Sequence, residues 1–178
     1  MKKTIYILSL IIITLYSCSS DDNDNNAFDG TGGIKCKVDG KLIESVITFG
    51  GIITLADVRF TSGNNEEYLI VELTDSGEFP DFIRQSVSMT IIDMVPESVQ
   101  VGDIYILDNE QNSNYGKYEE LLAGTFYNYS TNDENVGELE IVFHDLENRI
   151  LAGTFEYNAI NENGVIVEIR EGEFDMQY

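Results

Sequence analysis

Several residue types that commonly build functional sites are scarce in this sequence. Its 178 residues include one histidine, two cysteines, two prolines and no tryptophan. The single histidine, His144, directly precedes Asp145. Neighbouring side chains of a strand point to opposite faces, so Asp145 cannot orient the ring as a triad acid would. A zinc site would need more ligands than His144 and Cys36 supply. We therefore expect no catalytic residue, no metal site and no cofactor.

Basic residues are scarce as well. The chain has 10 Lys and Arg against 32 Asp and Glu, a net charge of −22 at pH 7. A nucleic-acid-binding surface needs a basic patch that displaces counterions, and anionic lipid head groups also attract basic segments. The composition therefore excludes nucleic acid as a partner and favours a soluble, strongly acidic surface.

The many acidic and amide residues leave two other chemistries to consider. They cluster at 21–24, 108–110 and 132–135, but Ala27 stands where the glycine of an EF-hand would be needed. We expect solvated loops there, with calcium binding as the alternative. A hydrolase built on paired carboxylates is another alternative, although no spacing singles out a pair.

No apolar run reaches the about 20 residues of a transmembrane helix. The N-terminal run, Ile5–Leu15, follows Lys2 and Lys3, which is the pattern of a secretory signal peptide. The run ends in the sequence LYSC, which resembles a bacterial lipobox. The resemblance implies that residues 1–17 are removed and that Cys18 becomes the first residue and carries fatty acyl chains such as palmitate. Two or three chains would anchor the protein stably; a plain secreted protein is the alternative.

Four polar residues follow that cysteine directly: Ser19, Ser20, Asp21 and Asp22. They resemble the acidic export signal of Bacteroidetes lipoproteins, which implies display on the outer surface of the outer membrane. The alternative is the periplasmic face, with these residues acting only as a solvated spacer. We expect residues 18–32 to form a flexible acidic tether and residues 33–178 to form a single domain.

The domain is predicted to be all-β. Apolar residues alternate with polar ones from Ile34 onward, and Gly, Asn and Asp punctuate the pattern, as at Asp39-Gly40. Many short strands separated by such turns indicate an antiparallel β-sandwich or a flattened barrel. Cys36 shares a face with Ile34 and Val38, so we expect it to be a buried small hydrophobe. With Cys18 acylated, no disulfide is possible.

A short sequence, LAGTF, occurs at Leu122–Phe126 and again at Leu151–Phe155. A glycine within a strand is typical of a bulge, or of a position where an aromatic ring lies across the backbone. We predict that role for both glycines.

Two segments resemble a family of uncharacterised Bacteroidetes lipoproteins. The first, Gly137–Tyr178, contains ILAGTF, an Asn-Gly turn and EGEFDMQY; the second is the opening CKVDGK at Cys36–Lys41. The resemblance implies a fold and a place in the cell envelope, but no activity.

Four tyrosines crowd the stretch 112–130, at Tyr115, Tyr118, Tyr127 and Tyr129. Aromatic faces can stack on sugars or on partner proteins, so these residues form a candidate binding surface for a glycan or an envelope protein. Packing in the core is the alternative. The expected function is that of a lipid-anchored, non-enzymatic binding module of the outer membrane. A structural subunit of an envelope complex and a carboxylate-based hydrolase are the alternatives.

Overall fold

A computed structural model describes residues 28–45, 54–63, 66–76, 84–109 and 113–178. These residues form eleven strands and one short 3-10 turn at Pro96–Ser98. The strands are β1 (Gly33–Val38), β2 (Lys41–Glu44), β3 (Thr54–Gly63), β4 (Glu66–Asp75), β5 (Arg84–Ile92), β6 (Ile104–Leu107), β7 (Tyr115–Leu122), β8 (Thr125–Ser130), β9 (Gly137–Asp145), β10 (Ile150–Ile160) and β11 (Ile166–Gln177). In this part of the chain, no helix is long and apolar enough to cross a membrane.

All eleven strands belong to one antiparallel sheet with the order β2-β1-β11-β10-β8-β7-β5-β4-β3. Strand β10 has two neighbours on the same side: Ile150–Tyr157 pairs with β9, whereas Ile160 pairs with Ser130 of β8. The sheet therefore forks at β10 into a long arm, through β8 to β3, and a short arm of β9 and β6. It also curls, so that β1 and β2 approach β4 and β11 approaches β3. The result is a half-barrel, which confirms the predicted all-β class.

The core lies on the concave face and follows the period of two. In β10, alternate residues from Leu151 to Ala159 are buried. In β1, Ile34, Cys36 and Val38 face the same core, and Cys36 is fully buried. The predicted role of this cysteine as a small buried hydrophobe is confirmed.

The two copies of LAGTF have different structures. Gly153 lies within β10 at a register shift against β9, and the ring of Phe174 covers it, as predicted. Gly124 instead forms the turn between β7 and β8 together with Ala123, both with positive φ. The prediction for Gly124 is wrong, because a left-handed two-residue turn between paired strands also requires a glycine.

A short N-terminal segment, residues 28–32, lies against the sheet, and we call it the strap. The backbone N–H of Gly30 donates to Oδ1 of Asp175 at 2.9 Å, and Phe28 stacks on Phe143 with ring centroids 5.4 Å apart. These contacts extend the folded part of the chain to residue 28, within the segment predicted to be a tether. Cys18 and the predicted export signal lie outside the described residues.

The close approach of Phe174 to Gly153 gives a first prediction. A Cβ at position 153 would lie 2.5 Å from the carbonyl oxygen of Glu140 and 2.6 Å from Cε1 of Phe174. We expect Gly153→Ala to lower the free energy of unfolding by about 1–3 kcal/mol, because backbone and ring must both shift. Gly63→Ala is the control, since among the described residues its Cβ would meet only Tyr68, at 3.9 Å. Urea denaturation of both variants tests this; equal midpoints would contradict it.

Cys36 gives a prediction for the pH dependence of stability. Burial raises the pKa of its thiol from 9.0 to about 12. The unfolded chain therefore loses this proton first, and the stabilisation present below pH 9 is lost as the pH rises towards 12, by about 1.4 kcal/mol per pH unit. Urea midpoints between pH 8 and 11 should fall more steeply for the wild type than for Cys36→Ala. Parallel curves would show that the thiol does not contribute.

Candidate functional site

A row of polar side chains crosses the core-facing side of the long arm. Gln85 of β5 pairs with Glu120 of β7, which pairs with Tyr127 of β8. Residues directly opposite one another face the same side, with Cβ atoms about 5 Å apart. The adjacent core-facing row, Val87, Tyr118 and Tyr129, is buried. The polar row therefore ends the core on this arm, and we call Gln85, Glu120 and Tyr127 the barrel mouth.

The amide of Gln85 is the unusual group of the mouth. The residue is only 8% exposed, and its Oε1 has no hydrogen-bond partner in the described part of the chain. On the opposite face of the same strand, the hydroxyl of Ser86 lies 3.1 Å from that of Thr74, so the two satisfy each other. A buried carbonyl oxygen without a donor costs about 1–3 kcal/mol. The mouth thus contains an acceptor that the described residues leave unused.

Tyr118 and Tyr129 form the floor beneath the mouth. They are 3% and 8% exposed, and their rings pack against each other with centroids 5.5 Å apart. Burial raises the pKa of Tyr118, with a further contribution from the negative charge of Glu120. Their burial contradicts the candidate binding surface and agrees with the alternative, packing in the core, because their positions in the alternation point into the half-barrel.

The other two predicted tyrosines lie on different faces of the sheet. Tyr115 is on the convex face, where Nζ of Lys117 lies 5.1 Å from its ring centroid. Tyr127 faces the concave side and is 38% exposed. The four tyrosines therefore do not form one surface, and only Tyr127 belongs to the mouth. Gln85 and Glu120 were not predicted, although a glutamine in step with Val87, Met89 and Ile91 was a visible signal.

The mouth lies at the end of the half-barrel away from the strap. Strand β8 runs antiparallel to β10 and meets it only at Ser130 and Ile160, so Tyr127 lies beyond the end of β10. The turn at Asp39, where β1 ends, is also close, since the carboxylate of Asp39 helps to raise the pKa of Tyr118. The strap lies near Asp175, at the other end of β11. The mouth and the strap are thus separated by roughly the length of β11, about 35 Å.

His144 is held by hydrogen bonds at both ring nitrogens. Nδ1 lies 3.2 Å from the carbonyl oxygen of Val99, and Nε2 lies 3.0 Å from the hydroxyl of Tyr178. The carboxylate of Asp145 instead accepts from the backbone N–H groups of Glu147 and Asn148. These contacts make His144 a link between the end of β9 and the C-terminus, and Asp145 does not orient its ring.

A groove of about 390 Å³ crosses the convex face over β9, β10 and β11. Five acidic residues line it: Glu138, Glu140, Glu156, Glu171 and Glu173. Lys37 donates to Glu171 at 2.7 Å, and Lys35 pairs with Glu173. Among the described residues, no three His, Cys, Asp or Glu side chains are arranged to hold a metal ion.

One antiparallel sheet curled around a single core, with a polar row at one end, defines an all-β half-barrel protein. The family described as a domain of unknown function, DUF6252, matches residues 83–176, so the chain belongs to this family. The match covers the part of the long arm from β5 to β8, the short arm of β6 and β9, and all of β10 and β11 up to residue 176, so it includes the whole mouth. Comparisons with curated proteins and with solved structures give no match.

The floor of the mouth gives a third prediction. We expect Tyr118→Ala to lower the free energy of unfolding by about 3–5 kcal/mol, because a buried aromatic side chain is removed from the core. Tyr127→Ala, on the same face but partly exposed, should cost about 1 kcal/mol or less. Urea denaturation followed by circular dichroism compares the two; a larger loss for Tyr127→Ala would contradict the assignment of the floor.

Proposed function

We propose that this protein is a lipid-anchored binding module of the bacterial outer membrane, displayed on the cell surface, and that it binds its ligand without converting it. The proposal includes membership of the Bacteroidetes lipoproteins. It is supported by the resemblance of Cys36–Lys41 and Gly137–Tyr178 to that group, and both segments lie in the described domain.

The anchor is supported by the order of features at the N-terminus. A basic start and an apolar run too short to span a membrane lead directly to Cys18. The thiol would take up a diacylglyceryl group, and the amine freed by cleavage would take a further chain. Several acyl chains anchor a protein far more firmly than one. The acidic residues that follow would keep the start of the mature chain solvated.

The observation that carries the proposal is the position of the strap relative to the mouth. Phe28 and Gly30 fix the beginning of the folded chain to the end of the half-barrel where Asp175 lies. Residues 19–27 join this point to Cys18 and can span at most about 30 Å. A domain tethered there would turn its opposite end, which holds Gln85 and Tyr127, away from the membrane. That orientation suits a module that captures a ligand outside the cell.

The chemistry of the mouth supports binding over catalysis. Gln85 offers an amide, Glu120 a carboxylate, and Tyr127 a partly exposed phenol. These groups hold ligands by hydrogen bonds and ring contacts. The histidine of the chain lies at the other end, bonded to Tyr178, and cannot serve as a base at the mouth.

Metabolic labelling tests the anchor. Cells that express the wild type and are fed a radioactive fatty acid should yield a labelled protein, whereas Cys18→Ala should carry no label, because the acyl-accepting thiol is gone. Cys36→Ala is the matched control and should be labelled like the wild type, since Cys36 is buried in the core. Equal labelling of the wild type and Cys18→Ala would overturn the anchor.

Protease treatment of intact cells tests surface display in the same strains. The wild type should be digested without lysis. A variant with alanine at positions 19–22 should be protected until the cells are lysed, because it would stay on the periplasmic face. Full protection of the wild type would place the protein in the periplasm.

A further inference from the structure

We propose that the convex face of the short arm is a docking surface for a partner protein, and that it takes a segment of that partner in which apolar and basic side chains are combined. The surface consists of Ile104 and Ile106 of β6 and of Glu138 and Glu140 of β9, and we call it the short-arm face. The inference goes beyond the proposed function, because it depends neither on the barrel mouth nor on the lipid anchor.

The first observation is a pair of exposed isoleucines on β6. Leu107 of this strand faces the core and is fully buried. Ile104 and Ile106 point to the convex face instead, and they are 55% and 52% exposed. Apolar residues that are exposed singly are common on protein surfaces, whereas adjacent ones on a single face are typical of interaction sites. The two isoleucines therefore indicate a surface that a partner covers.

The second observation is that these isoleucines border a groove. Ile104 lies directly opposite Glu140, and Ile106 lies opposite Glu138. Both glutamates line the convex groove of about 390 Å³. A second depression, of about 400 Å³, shares two of its lining residues with this groove and extends to Phe28 of the strap. The short-arm face is therefore the rim of a continuous channel with room for the side chains of a bound segment.

Charge determines which partner fits this channel. Lysines of β1 pair with the glutamates on the β11 side of the groove. Glu138, Glu140 and Glu156 form no ion pair within the described part of the chain. A second copy of this chain would bring the same carboxylates and a net charge of −22 towards them, and anionic lipid head groups would also be repelled. Lysine or arginine beside apolar residues in a partner segment would instead complement both parts of the surface.

The free protein has a cost at this face that a basic partner would reduce. Glu138 and Glu156 are direct cross-strand neighbours, and like charges in such positions destabilise a sheet. A lysine or arginine between them would be attracted to both. Because exposed ion pairs contribute little in water, the apolar contact with Ile104 and Ile106 must supply most of the affinity. The charges then select a basic segment over an acidic one.

The test is fluorescence anisotropy with the full-length chain in a non-ionic detergent. The probes are three labelled peptides, which alternate lysine with isoleucine, lysine with serine, and glutamate with isoleucine. We expect the Lys/Ile peptide to bind and the other two to bind at least about tenfold more weakly. Ile104→Thr with Ile106→Thr should weaken binding of the Lys/Ile peptide about tenfold or more, since threonine keeps the preference for strands but loses apolar contact. Glu138→Gln with Glu140→Gln should weaken it about threefold, and by less at high salt.

Val165→Thr with Ile166→Thr is the matched control. Both residues are about half exposed, lie where β11 begins, and should leave binding unchanged when they are replaced. Absence of binding by the Lys/Ile peptide would overturn the proposal, as would equal binding of either other peptide or unchanged binding by the variant with threonine at 104 and 106. The glutamine variant should not melt at a lower temperature than the wild type, because a like-charge repulsion is removed. Cys18→Ala should bind like the wild type, so a failure of the anchor can be told apart from a failure of this surface.

Discussion

The fold depends on Tyr157, which joins the two arms of the sheet where they part at β10. Its ring is fully buried and lies across Gly116 of β7, where a Cβ would come within 2.9 Å of it. Its hydroxyl donates to the carbonyl oxygen of Lys117 at 2.6 Å, so a strand that does not pair with β10 is still bonded to it. Burial raises the pKa of this phenol, which keeps the donor protonated. A single side chain thus closes the gap that the fork leaves in the backbone hydrogen-bond ladder.

The same fork explains why a polar row can end the core at the mouth. After Ile160 the chain turns into β11. The part of β8 that precedes Ser130, beginning at Thr125, therefore extends beyond the end of β10. Core-facing residues of β5, β7 and β8 in this overhang have no β10 opposite them. Tyr118 and Tyr129 are still covered, but Gln85, Glu120 and Tyr127 lie one step further out. The topology explains why polar side chains occur at these positions. It does not explain why the oxygen of Gln85 is unpaired.

The sequence allowed the class of the fold to be predicted, and several local features, but not the site. Alternation in β1 and β10 was sufficient to predict strands and to bury Cys36, because the period of two fixes the face of each side chain. The same rule could not say which face of β7 is concave, so it left Tyr118 open between a binding surface and the core, where it lies. Gly153 and Gly124 share the sequence LAGTF, yet one meets Phe174 and the other forms a turn. Whether such a glycine packs against a ring or forms a turn depends on the strand that pairs with it. The sequence of one segment contains no information about that partner strand. The mouth needed the register of β5, β7 and β8, which brings Gln85 beside residues that lie 35 and 42 positions further along the chain.

Two local costs in this domain lie outside the contacts that the side chain of Tyr157 makes. On the convex face, Glu138 and Glu156 are direct cross-strand neighbours, an arrangement that destabilises a sheet pair. Lys35 and Lys37 offset the charge of Glu173 and Glu171 further along the same face. At the mouth, the unpaired amide of Gln85 adds a second cost. Sequences generally agree with their fold at every level and depart from it where another requirement acts. The acidic residues of the convex face help to keep the protein soluble, and solubility is a requirement of the whole surface. The unpaired acceptor of Gln85 meets no such general need, and no donor among the described residues offsets its cost.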